Sequence, residues 1–266
     1  MEEKFVTSFD GTQIFYWAKK QTKTWLVFLH GGSGSSNSWC FQLPFFLSQG
    51  YSVIVLDQRG HGLSGRGKNL DFFSIDNFAK DVKAVLDAEQ ADKVVLVGHS
   101  LGSQIAQRFY QLYAESVVAL VLISTKFARS SPKLLTGLVN FLMRLVFLVP
   151  WGSPNNNYTD YNRFTDTADF NLLRILSDIR SCSFKTYAAG ILVGNHFENK
   201  NYQDIKVPSL LIHGEKDMIF PYKPVQSQAH EMSNFKFESL PTNHITLLNL
   251  PDEITKKIAD FLVKLN

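Results

Sequence analysis

Cysteine is nearly missing from this 266-residue chain, which has only Cys40 and Cys182. Two well-separated thiols make neither a disulfide framework nor a chelating pattern, and they fit a reducing compartment such as the cytoplasm. No H-E-x-x-H or clustered-ligand spacing occurs, so neither a metal nor a cofactor is expected. The N-terminus, M-E-E-K-F-V-T-S-F-D-G, is acidic and lacks the apolar run of a secretory or transit segment. Charge of one sign is also scarce. Against 27 basic residues stand 24 acidic ones, for a net charge of +3, and the basic residues are scattered. That distribution argues against nucleic acid as a partner. One stretch, Leu134 to Val149, is almost wholly apolar, but it is short for a span and carries Asn140 and Arg144 near its middle. A central arginine costs roughly 2.5–3.5 kcal/mol on insertion. Stable membrane insertion is therefore not expected, and the stretch reads as a buried or pocket-lining helix. An interfacial helix touching lipid is the alternative.

Beyond these absences, the chain has an ordinary globular composition, 45% hydrophobic and 19% charged, with 22 phenylalanines. Its length suits one domain with an insertion. Lys4 to Ser8 and Gln13 to Ala18 read as a hairpin around Asp10-Gly11. Trp25 to Leu29, Ser52 to Leu56, Lys93 to Val97 and Val117 to Ser124 read as strands. They are nearly continuous in apolar residues, which implies a parallel sheet covered on both faces. Ser74 is placed to cap a helix with Ile75, Phe78, Val82, Val85 and Leu86 on one face. From Lys126 to Asp204 the strand rhythm stops. Asn171 to Arg180 and Phe184 to Val193 read as helices, and Pro150 to Tyr158 as a loop. Strands return at Val207 to Ile212 and Phe235 to Leu240, and a last helix begins near Pro251. The fold class is therefore α/β, a doubly wound, mostly parallel sheet with an inserted helical cap. Residues 1–125 and 204–266 form the core and 126–203 the cap.

The chemistry gathers at V-V-L-V-G-H-S-L-G, Val94 to Gly102. A strand running into Gly-x-Ser-x-Gly and then a helix, from Ser103 to Ala114, is the pattern of a nucleophilic serine on a sharp turn, here Ser100. Its neighbours must be nearly side-chain-free for the chain to reverse there. The following amides would stand at a helix N-terminus, where they can stabilise an oxyanion. A serine hydroxyl needs a base in reach and a group to orient that base. His244, in P-T-N-H-I-T between the last strand and the last helix, is the candidate base. Asp217, in L-L-I-H-G-E-K-D after a strand end, is the candidate acid, with Glu215 as the alternative. Loops after strand C-termini are where doubly wound sheets gather their sites.

With H-G-G-S-G at His30, D-Q-R-G-H-G-L-S at Asp57, G-H-S-L-G, H-G-E-K-D and the late N-H in this order, the sequence resembles the α/β-hydrolase fold superfamily, in its serine-nucleophile, esterase-like branch. The resemblance spans the core and leaves out the insertion. It implies a Ser100–Asp217–His244 triad, an oxyanion hole from the amides of Gly32 and Leu101, and a helical cap over the site. His30, Asp57, Arg59, His61 and His213 read as structural supports, and His99 as a packing residue inside the elbow. Relatives that attack epoxides or alkyl halides use aspartate at the elbow, so Ser100 sets those chemistries aside. The expected activity is cleavage of small to medium carboxylic esters, with a small-molecule acyl substrate as the partner. The Phe- and Leu-rich insertion suggests an apolar acyl pocket from Phe141, Leu142 and Phe147. A proline-iminopeptidase-like or C–C bond hydrolase remains an alternative, although Leu101 stands where iminopeptidases typically carry tryptophan. So does a slow-hydrolysing receptor of the same fold.

Overall fold

The computed structural model describes residues 1–128, 133–149 and 158–265. An eight-stranded sheet runs through it: β1 (Glu2–Thr7), β2 (Gln13–Lys19), β3 (Trp25–Leu29), β4 (Ser52–Leu56), β5 (Val94–His99), β6 (Val117–Ile123), β7 (Ser209–Gly214) and β8 (Phe235–Leu240). Their spatial order is β1-β2-β4-β3-β5-β6-β7-β8. The β1–β2 and β2–β4 pairings are antiparallel, and every later pairing is parallel. The central strands are apolar on both sides because both sides are covered. On one side Val27, Leu96 and Leu120 pack with Phe78, Val82 and Ile105. These last come from α2 (Ile75–Ala88) and α3 (Leu101–Tyr113), which follow α1 (Leu43–Ser48) in the chain. On the other side Phe28, Val95 and Val97 pack with Phe46 of α1 and with Ile254, Ile258 and Phe261.

Ser74 caps α2 by accepting from the Asn77 amide, and the helix begins at Ile75. After β6 the described chain continues as α4 (Lys133–Leu148), α5 (Leu172–Cys182) and α6 (Phe184–His196) before β7. Then come α7 (Tyr222–His230), α8 (Thr246–Asn249) and α9 (Pro251–Val263), the last opening on Pro251 as its first residue. The loop expected over 150–158 lies outside the described residues apart from Tyr158.

The reading of Leu134 to Val149 as a buried helix needs correction. Helix α4 packs only one side inward, through Phe147, Met143 and Val146. Leu138, Phe141, Leu142 and Leu145 are all exposed. When nearly every position is apolar, periodicity no longer says which face turns inward. Among the described residues no helix is long and apolar enough to cross a membrane.

Candidate active site

Ser100 closes the step from β5 to α3 with φ 52° and ψ −116°, a left-handed backbone that a serine adopts only under constraint. The constraint is close packing of backbone on backbone. A Cβ on Gly98 would lie 2.5 Å from the Gly102 carbonyl, and one on Gly102 would lie 2.0 Å from Leu29 O. The Ser100 amide donates to Ile123 O at 2.9 Å, which pins the turn to β6.

Three loops bring the expected residues together. His244 Nε2 lies 2.8 Å from Ser100 Oγ, and His244 Nδ1 lies 2.7 Å from Asp217 Oδ2. Asp217 Oδ1 accepts from the amides of Ile219 and Phe220, both at 2.8 Å. Burial pushes the Asp217 carboxyl up, but the charge and hydrogen bond of His244, aided by His213, overcome it and hold the group below the usual range. Glu215 is exposed and accepts from Ser239, away from His244. With Asp217 as acceptor, Nδ1 carries the proton and Nε2 is left free to take one from Ser100.

The loop after β3 has its own rigging. Gly31 O accepts from His30 Nδ1 at 2.8 Å and from the Gly34 amide at 3.1 Å. His30 Nε2 accepts from the Gln58 amide at 3.0 Å. A neutral ring has one donor and one acceptor, and burial, with His61 nearby, holds His30 well below its ordinary pKa. No described peptide is cis, so tying the Gly31 carbonyl back turns the Gly32 amide the opposite way. Gly32 and Leu101 line one cavity with Ser100 and His244. Leu101 is the first residue of α3, whose first amides have no acceptor within the helix. The remaining supports are clear of the cavity. Arg59 grips Asp81 through two nitrogens at 2.6 and 2.7 Å, and Asp57 takes the amides of Ser36 and Leu63.

The structure differs from the sequence reading in two respects. Phe141 and Leu142 are exposed on α4, and Phe147 is buried against Phe73, their ring centroids 6.2 Å apart. None of the three lines the cavity, because α4 is held away from Ser100 by α6. The apolar wall comes instead from Leu101, Ile175, Ile191, Ile219 and Leu248, and Phe170, 64% exposed, stands at its rim. The cavity encloses about 190 Å³. The second difference is Asp169, which the sequence reading passed over. One of its oxygens accepts from the His244 amide at 2.7 Å and the other from the Met218 amide at 3.0 Å. It thereby ties the base loop to the acid loop from within the helical insertion. No local signal marks it, since its partner lies 75 residues away. Among the described residues no group of three or more His, Cys, Asp or Glu side chains could hold a metal ion.

Four buried histidines make stability depend on pH. Burial lowers His30, His61, His99 and His213, with His99 brought to about 3. Their unfolded pKa is about 6.5, so below that pH the unfolded chain binds more protons than the folded one. Stability is thus complete above pH 6.5 and is lost as pH falls toward 3. Each histidine adds up to about 1.4 kcal/mol per pH unit within its window. Urea midpoints should fall steadily from pH 7 to pH 4, and His99→Gln should reduce the slope by close to one proton. A midpoint constant over that range would refute this.

A family model described as the alpha/beta hydrolase fold matches residues 24–249. The chain is 29% identical over 241 residues to a non-heme chloroperoxidase of Burkholderia pyrrocinia, covering 82% of this chain and 83% of that protein. It is 28% identical over 253 residues to the bifunctional esterase/perhydrolase DCH of Acinetobacter calcoaceticus, covering 89% and 91%. Among solved structures, a hydrolase from Pseudomonas aeruginosa PA01 superposes with a TM-score of 0.81 at 18% identity, over 98% of each chain.

Proposed function

Given that the chain belongs to the α/β-hydrolase fold family, we propose that it is a serine hydrolase that cleaves small to medium carboxylic esters through an acyl-enzyme. The observation that carries this reading is the unbroken line from Ser100 Oγ through His244 to Asp217, at 2.8 and 2.7 Å. The esterase/perhydrolase relative supports it. Ser100 Oγ attacks the ester carbonyl while His244 Nε2 takes its proton, and Asp217 holds the resulting imidazolium. The carbonyl oxygen becomes an oxyanion facing the amides of Gly32 and Leu101, each donor worth about 2.7–4 kcal/mol. His244 then gives its proton to the departing alkoxide, and the alcohol leaves. Water, deprotonated by His244, attacks the acyl-Ser100 ester. The acid departs, and the proton returns to Ser100. An aspartate carboxylate would be needed at position 100 for epoxide or halide attack, and a hydroxyl stands there.

Residues 126–203 act as a cap that shapes the substrate space, in a protein of the cytoplasm, where Cys40 and Cys182 stay reduced. A fluorophosphonate probe should label Ser100, as mapped by peptide mass spectrometry. With 4-nitrophenyl esters, kcat/KM should peak at short to medium acyl chains and drop at least tenfold by twelve carbons, about the length at which the chain outgrows the cavity. Absence of labelling would sink the serine mechanism. A profile rising to long chains would sink the substrate size, and labelling without multiple turnover would favour a receptor.

A further inference from the structure

Helix α4 carries an uncovered apolar stripe. Leu134, Leu138, Phe141, Leu145 and Leu148 recur at alternating spacings of four and three residues, which puts them on one face of the helix. Their exposure runs from 47% for Leu145 to 88% for Leu134, and Leu142, one turn on from Leu138, is exposed beside them. The other face does the packing. Met143, Val146 and Phe147 turn inward, and Asn140 Oδ1 accepts from Asn195 Nδ2 of α6 at 2.9 Å. The helix is thus already seated on the fold, and the stripe is what that seating leaves outside. A continuous run of large apolar side chains facing water marks a contact surface.

Charge says what kind of partner fits. No Asp or Glu occurs between Glu115 and Asp160, a stretch that holds Lys126, Arg129, Lys133 and Arg144. Arg144 is exposed and borders the stripe, three residues after Phe141 and four before Leu148. A second copy of the chain meeting this face would present the same helix, with no carboxylate on α4 to answer Arg144. An anionic bilayer answers both features, because its headgroups take the arginine and its acyl boundary takes the leucines. With 16 residues the helix is about 24 Å long, short of the roughly 30 Å hydrocarbon core, so it lies along the surface and does not cross. We propose that α4 docks the protein reversibly on anionic phospholipid membranes, its leucine stripe in the acyl boundary and Arg144 at the headgroups. Docking leaves Ser100, His244 and Asp217 untouched, so it stands apart from the ester-cleavage reading.

Flotation with extruded vesicles tests this. The wild type should float with phosphatidylcholine vesicles that contain about one-third phosphatidylserine, and should bind pure phosphatidylcholine about tenfold more weakly. Added salt should weaken the binding to the mixed vesicles. Leu134→Gln/Leu138→Gln/Leu145→Gln should lower the partition coefficient about tenfold or more, and Arg144→Glu about fivefold. Melting temperatures should stay within about 2 °C of the wild type, because every changed side chain is exposed. A wild type that ignores the mixed vesicles would overturn the proposal, as would equal binding to both vesicle types or full binding by the triple variant. A dimer in sedimentation equilibrium that the triple variant dissolves would overturn it too, giving the face to a second copy. Hydrolysis of 4-nitrophenyl butyrate in vesicle-free buffer should be equal in all three proteins. Its absence from all three would count against the serine mechanism and leave the docking result standing.

Discussion

Ser100→Ala removes ester hydrolysis, with kcat falling by about 10⁴- to 10⁶-fold while the melting temperature stays within about 2 °C of the wild type. The size of the loss follows from what remains. His244 and Asp217 keep their 2.7 Å contact, and Gly32 and Leu101 still line the cavity, but no nucleophile stands 2.8 Å from Nε2. Residual catalysis then comes from oxyanion stabilisation and binding alone. Stability changes little because, among the described residues, the hydroxyl bonds to His244 alone, and because alanine meets the same φ of 52° that serine already bears. Fluorophosphonate labelling disappears together with the activity. Hydrolysis of 4-nitrophenyl butyrate at the wild-type rate would show that another group performs the attack.

Gly102→Ala has the largest expected effect among changes that touch no reacting atom. Its new Cβ would meet Leu29 O at 2.0 Å, Leu29 C at 2.6 Å and His30 O at 2.7 Å. All three are backbone, so no side chain can swing aside, and either α3 or the end of β3 must move. Overpacking of this kind costs about 3 kcal/mol or more. Because the displaced pieces carry Ser100, the Leu101 amide and His30, activity should fall at least about 100-fold in whatever protein remains folded. Gly137→Ala is the matched control. Among the described residues nothing lies within 4 Å of the Cβ it adds on α4, and replacing a helical glycine gains about 0.5–1 kcal/mol. Urea denaturation of the two variants should give shifts of opposite sign, and a neutral Gly102→Ala would disprove the packing argument.

The sheet and the Ser100 elbow were legible because their signals are local. β3, β4 and β5 are continuous apolar runs ended by glycine-rich turns, and small errors at their ends, such as β5 reaching His99, come from extra ladder pairs that the sequence does not mark. His244 and Asp217 were legible through their place after strand ends. Helix α7 was not, since Y-K-P-V-Q-S-Q-A-H is polar with Pro224 in its first turn, and only Val225 and Ala229 are buried. The wall of the cavity was misread for a related reason. Phe141 and Leu142 look like core residues by composition, yet their exposure depends on how α4 rests on α6. Asp169 lies in a polar stretch where charged residues are usually solvated, and Arg174 sits among Leu172, Leu173, Ile175 and Leu176 with no local sign of what it pairs with. Their burial arises only when the insertion closes over loops that lie far away in the chain.

That closure limits how the protein can be re-engineered. Asp169 belongs to the helical segment between β6 and β7, yet it receives the amide of His244 on one side and that of Met218, next to Asp217, on the other. Grafting a foreign insertion to alter selectivity would therefore also loosen the alignment of the proton relay. A successful chimera must bring its own carboxylate to this spot. One residue both lines the cavity and ties the His244 loop to the Asp217 loop, so insertion and site are not separable modules.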